Sequence, residues 1–366
     1  MLYAGIVGLP NVGKSTLFNA LTKSEVMSGN FMFSTTTANI GVVELEDTRL
    51  DVLAEIHKSR KTIPTSFELV DVPALVSGSS SGEGLGNQFL VSIRNVDAIC
   101  HVIRCFIDEN VIHVSDKLDP LNDIETIQLE LNYADLDSIQ KRLPRLEKKA
   151  KLDANSTERK EFDILKRLEE ALENDLPIRR VPLTEDEEKI IKSYHFLSQK
   201  PMLFIANVSE DDFADLNNNK LYNEILTKAK TENVEVIPIC ASLEYELGKM
   251  EKAEQVLFLD ELGIDESGIS KLEKAMYKTL GLSTFFTAGE TQTKAWTFAN
   301  GLTARKCAGI IHSDFERGFI RAEVVNYEDL SFYGNYQKCK EAGKVRLEGR
   351  DYLVMDGDVI VFRFNV

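Results

Sequence analysis

Gly8-Leu9-Pro10-Asn11-Val12-Gly13-Lys14-Ser15 is the stretch that decides the fold of this chain. It fits G-x-x-x-x-G-K-[ST], the loop that wraps the phosphates of a nucleoside triphosphate. Leu2–Val7, just upstream, is a buried-strand pattern, and Thr16–Leu21, just downstream, is a helix with an apolar face. Strand, loop and helix in that order are the setting the motif needs. Gly8 and Gly13 let the backbone curl until its N–H groups converge at the positive end of the helix. Lys14 then reaches the β- and γ-phosphates, and the Ser15 hydroxyl is a ligand for Mg²⁺. A glycine-rich turn matching by accident would not explain the flanking strand and helix.

Working outward, residues 1–130 alternate strand and helix signals. Ala38–Leu45, Ser66–Val72 and Ala98–Arg104 read as strands and Thr48–His57 as a helix. The pattern predicts an α/β doubly wound sheet. Between Asn132 and Ser198 the strands stop. Lys141–Lys151 and Glu158–Glu173 are rich in charge and periodic in Leu, and Thr184 with Glu187 forms a capping box for a third helix. An antiparallel α-helical coiled-coil hairpin is expected, with helices lying flat on the sheet as the alternative.

Strand signals return at Pro201–Val208 and Val234–Cys240, so the helices are an insertion rather than an appendage. Leu243–Leu259 and Ser267–Leu280 read as helical runs. After Gly281 come short strands at Ser283–Thr287, Ala295–Phe298, Ala322–Val325 and Val359–Phe364, a small α+β domain. The expected division is 1–130 with 201–282 for the nucleotide, 131–200 for the inserted hairpin and 283–366 for the last domain.

A chain of 366 residues is longer than one hydrophobic core serves well. Its hydrophobic content of 43% is that of a globular protein, and no apolar run approaches a membrane span. Neither a basic n-region nor an apolar h-region stands before the phosphate loop, so no signal peptide is expected. Five Cys form no C-x-x-C pair, as expected of reduced thiols. The expected location is therefore cytoplasmic, with no membrane partner. Net charge is −16, but unevenly placed. Residues 131–200 carry 15 basic and 15 acidic groups and 283–366 carry 11 and 11; the remainder carries 17 and 33. RNA contact is expected on the two neutral segments.

Other residues narrow the nucleotide chemistry. Glu68-Leu69-Val70-Asp71 is an apolar strand ending in a carboxylate, the position that holds Mg²⁺ through water; a turn carboxylate is the alternative. Thr35 lies in Phe33-Ser34-Thr35-Thr36-Thr37, where a Thr can close on Mg²⁺ and the γ-phosphate, though three Thr in a row leave the choice open. Asn207-Val208-Ser209-Glu210 stands where GTPases carry N-K-x-D. Glu is a methylene longer than Asp, and Val replaces the Lys that packs on the base, which argues against strict GTP specificity. The Asn207 amide can still bond a purine, and Cys240-Ala241-Ser242 can offer backbone to the base edge. Leu75 takes the place of a water-orienting Gln, so hydrolysis needs another group.

Together these residues resemble the YchF/Obg-like ATPase family. The resemblance runs over essentially the whole chain, including Gly5–Leu21, Gly82–Leu90, Ile93–Ala98, Asp123–Ile127, Asn207–Glu210, Phe285–Gly289, His312–Ile320 and Asp356-Gly357-Asp358. It implies an Obg-type nucleotide domain, an inserted helical hairpin and a C-terminal TGS domain. It implies an ATPase that also accepts GTP, binds ribosomes and their RNA, and regulates translation under stress. By this resemblance Asn11, Val12, Gly13, Lys14, Ser15 and Thr16 bind the triphosphate, Ser15 and Thr35 contact Mg²⁺, and Asn207 and Glu210 lie at the base. Asn11 matches a position that helps to hold K⁺ in related enzymes. His113 is the family's candidate for positioning or deprotonating water, a structural surface His being the alternative.

Two departures stand out. Asp71-Val72-Pro73-Ala74 has Ala where the family usually has Gly, and Met32 and Ala38 stand where it commonly has Pro. Two rivals from other classes are a small-molecule kinase, for which no second pocket or Arg-bearing lid is visible, and a slow nucleotide sensor acting as a binding module, which Ala74 and Leu75 leave open.

Overall fold

The computed structural model describes residues 3–22, 26–30, 37–75, 85–108, 118–153 and 156–365. Contacts divide it into two compact units, Met1–Val42 with Glu68–Ala275, and Val43–Phe67 with Met276–Val366.

The first unit begins with β1 (Tyr3–Val7), whose last four residues are buried, and α1 (Lys14–Leu21). β2 (Val26–Asn30) and β3 (Thr37–Glu44) pair in antiparallel fashion. α2 (Thr48–His57) and β4 (Thr62–Ile63) fall in the second unit. β5 (Ser66–Asp71), α3 (Leu85–Arg94) and β6 (Ala98–Arg104) follow. β7 (Met202–Asn207) and β8 (Glu235–Ile239) complete a sheet of order β2-β3-β5-β1-β6-β7-β8, seven strands among the described residues. β1, β5, β6, β7 and β8 run parallel. Every residue of β6 and β7 is buried, as central parallel strands covered on both faces must be, and this is why they read as unbroken apolar runs.

Between β6 and β7 stand the helices α4 (Pro120–Ala150), α5 (Thr157–Glu173) and α6 (Glu185–Ile191). The hairpin expected from 131–200 is present, but its first helix starts at Pro120, capped by Asp119, which accepts from the Asn122 amide. Ile139, Leu143 and Leu146 of α4 meet Leu165, Leu168 and Leu172 of α5, and Ile178, Ile191 and Phe196 close the same core. After β7 come α7 (Glu210–Ala214) and α8 (Lys220–Glu232). The run read as one helix over 243–259 is two: α9 (Ala241–Leu247) stops at Gly248, and α10 (Lys252–Glu261) restarts from a Glu251/Glu254 capping box. α11 (Gly268–Thr279) then leads toward the second unit.

The second unit holds β9 (Leu282–Ala288), β10 (Thr293–Ala299), α12 (Ala304–Ile311), α13 (Ser313–Arg317), β11 (Phe319–Asn326), α14 (Tyr327–Tyr333), α15 (Tyr336–Glu341), β12 (Arg346–Glu348) and β13 (Asp358–Phe364). Its sheet is ordered β12-β11-β13-β9-β10-β4. The segment 43–67 lies here, whereas the sequence reading kept it with the nucleotide domain. Leu50 and Leu53 of α2 pack on Phe286, Val325 and Val359. β4 pairs in parallel with β10, Arg49 bonds Asp356 at 2.6 Å, and the Ser59 hydroxyl donates to the Gly289 carbonyl at 2.7 Å. Helix and strand were legible locally; the sheet they serve is more than 200 residues away and leaves no local pattern. All five Cys are free and buried.

Candidate nucleotide-binding site

The loop after β1 carries two left-handed residues, Asn11 (φ 63°) and Gly13 (φ 94°). Asn tolerates that conformation, and Gly adopts it without a Cβ clash. Glycine is also required by space. A Cβ on Gly8 would meet the Val102 carbonyl at 2.9 Å, and one on Gly13 would collide with Asn207 Nδ2.

α1 begins at Lys14 with no side-chain cap and no acidic residue in its first turn. α4, α5, α6 and α8, by contrast, are capped by Asp119, Ser156, Thr184 and Asn219, while α9 shares the uncapped start. The first amides of α1 and the positive end of its dipole therefore remain for an anion. Ser15 and Thr16 are exposed there. Val12, 1% exposed, offers a ligand main chain only.

The Lys14 ammonium pairs with Asp71 Oδ1, joining the phosphate loop to the end of β5. Both expected Mg²⁺ groups on described residues, the Ser15 hydroxyl and the Asp71 carboxylate, are hard oxygen donors suited to that ion. They are too few to hold it alone, so phosphate and water must complete the shell.

Asn207, 4% exposed, ties the two halves together. Its Nδ2 donates to the Val12 carbonyl at 2.9 Å, and its Oδ1 accepts from the Ala241 amide at 3.0 Å. The β7 end, the phosphate loop and the α9 start are thus pinned by one amide. Val208 is buried, and its N–H donates to Ile239 at 2.8 Å. Glu210 opens α7, and the exposed Ser242 donates to its Oε1 at 3.5 Å. Burial raises the pKa of the Cys240 thiol, so it is not a thiolate at neutral pH.

Comparison with known proteins adds an independent line. A family model described as 50S ribosome-binding GTPase matches residues 3–139, and the YchF-GTPase_C model, described as "Protein of unknown function (DUF933)", matches 282–365. The ribosome-binding ATPase YchF of Bacillus subtilis (strain 168) is 55% identical over 365 residues, covering 100% of both chains. The chain belongs to the YchF family. The ribosome-binding ATPase YchF of Escherichia coli O157:H7 is 48% identical, covering 99% of both chains. The solved Schizosaccharomyces pombe YchF GTPase has a TM-score of 0.87 and 34% identity, covering 99% of this chain and 97% of that one. The resemblance read from the motifs is therefore upheld, as is the P-loop α/β fold with its inserted helical hairpin and C-terminal α+β part. A P-loop of this class generally works with Mg²⁺.

For this YchF member the remaining candidates fall as follows. Thr35 and His113 lie outside the described residues, as does Met32. Leu75, 1% exposed, is part of the core. Ala74 is not among the residues at positive φ, so its Cβ strains nothing in this conformation. Sequence reasoning missed Glu244. It is 2% exposed on α9, and its Oε1 accepts from the Gly268 amide at 2.6 Å, capping α11. Burial raises its pKa to about 7 against those bonds. The only local signal was a Glu beside Leu243 and Leu247 on the inward side of a short apolar helix. Among the described residues no helix is long and apolar enough to cross a membrane.

Proposed function

We propose that this protein hydrolyses ATP, accepts GTP less selectively than an N-K-x-D enzyme would, and acts in the cytoplasm as a ribosome-associated nucleotide switch in translation or stress regulation. The names of its full-length relatives support the activity and the ribosome. The observation that carries the reading is the uncapped start of α1 facing the Lys14–Asp71 pair, with Asn207 pinned behind it.

In this reading Asn11, Val12, Gly13, Lys14, Ser15 and Thr16 cradle the triphosphate with main-chain N–H groups and two hydroxyls. Lys14 exchanges the Asp71 carboxylate for phosphate oxygens as the nucleotide enters, which releases Asp71 toward the metal's water shell. Mg²⁺, when bound to Ser15, Asp71 and Thr35, neutralises charge on the β- and γ-oxygens. Asn11 is the K⁺ candidate. Asn207, Val208, Glu210 and Ser242 border the base. Because Leu75 is sequestered, water must be oriented by another group, and His113 is the candidate; basal turnover is slow. The functional division is an OBG-type domain (1–130 and 201–282), a helical hairpin (131–200) and a TGS domain (283–366), the last two carrying contacts to ribosomal RNA.

The test is phosphate release from ATP and from GTP, with and without purified 70S ribosomes, against Lys14→Ala. Release above the Lys14→Ala background, raised by ribosomes, is expected. The buried Leu75 favours one alternative, a sensor that binds nucleotide without useful hydrolysis; it would release nothing above that background. Labelled phosphate found on an acceptor would instead indicate a kinase.

A further inference from the structure

α10 is a helix with none of its residues buried. Val256 and Leu257 are each 67% exposed, and Leu262, just beyond its end, is 44% exposed. It is nevertheless held in place. Its start is closed by the Glu251/Glu254 capping box, and Gln255 Nε2 donates to the Leu247 and Met250 carbonyls at 2.9 and 3.1 Å. Apolar side chains kept in water on an anchored helix mark an interaction surface. Residues 246–266 carry seven carboxylates against two lysines; Glu246 and Glu266 are paired with Lys249 and Lys274, while Asp260 and Glu261 follow Val256 and Leu257 by four residues and so share their side of the helix.

This rim decides the occupant. Phosphate-rich RNA and anionic lipid are repelled by it. A second copy is disfavoured too, since a two-fold pair sets a patch against itself and like charge against like. We propose that α10 docks a cation-rich, apolar-tipped protein segment exposed on the ribosome, of the kind with which RNA-binding proteins neutralise phosphate. The inference rests on the ribosome-associated reading above and names its partner as protein at this site. Val256 and Leu257 enter an apolar contact, and the carboxylates beside them, Asp260 and Glu261 first, steer and orient the basic chain around it.

The experiment is co-sedimentation of the full chain with purified 70S ribosomes at two salt concentrations. Val256→Ser with Leu257→Ser should weaken binding by about tenfold or more, since the apolar contact is removed from the centre of the interface. Asp260→Lys with Glu261→Lys sits at the C-terminal end of α10, where lysines suit the helix dipole and leave folding intact. It should weaken binding as well and flatten its salt dependence. Basal ATP hydrolysis and the melting curve should be unchanged in both variants. Binding within twofold of the unchanged chain in either variant overturns the proposal. So does tighter binding after charge reversal, the sign expected of RNA. No sedimentation of the unchanged chain with any nucleotide would overturn the ribosome reading itself.

Discussion

Asn207 is bonded at both ends of its amide, so its loss would leave the buried Val12 carbonyl and Ala241 amide unpaired. Asn207→Ala should cost about 1–3 kcal/mol in urea unfolding and loosen a fluorescent ATP analogue by about tenfold or more. Gly13→Ala meets both a left-handed φ and the Asn207 side chain; it should abolish analogue binding while leaving the circular dichroism spectrum unchanged. Glu244 makes a pH prediction. Its folded-state pKa of about 7 is raised from 4.5 chiefly by burial. Stability from its protonated form is therefore full below 4.5 and is lost as pH rises through 7, up to about 3 kcal/mol. Glu244→Gln, measured against the unchanged chain from pH 5 to pH 8, should gain relative stability as pH rises. A constant difference would rule out this titration.

At the scale of elements, one buried carboxylate fixes the way the inserted helices return to the sheet. Asp135 of α4 accepts from the Leu197 and Ser198 amides at 2.9 and 2.7 Å and from the Ser198 hydroxyl at 2.7 Å. Burial raises its pKa while these bonds lower it. Asp135→Ala should destabilise the chain by about 3 kcal/mol in denaturant titration, because the two amides have no other partner in place. The sequence displayed α4 only by its charge and Leu period. Its start at Pro120 was missed because residues 120–131 face the sheet and read as mixed. The break between α9 and α10 was missed for the opposite reason: the apolar period continues across Gly248 although the helix does not.

For the whole molecule, nucleotide and stability are linked. A ligand at a hundred times its Kd adds about 2.7 kcal/mol to the state that binds it. Mg²⁺ with a non-hydrolysable ATP analogue should therefore raise the Tm of the unit containing the phosphate loop, and chelation of the metal should remove most of the shift. Lys14→Ala should show none. A Tm shift that survives both changes would mean that the nucleotide binds elsewhere.

The chain's local chemistry determined the phosphate loop, the carboxylate at Asp71, the motif at Asn207 and the strands around them, because each depends on residues a few positions apart. Tertiary structure alone decided three things. Helix α2 and strand β4 belong to the second unit, Leu75 turns into the core, and Glu244 caps a helix 24 residues away. Burial and long-range pairing follow from which surfaces meet in space, and no local period records that.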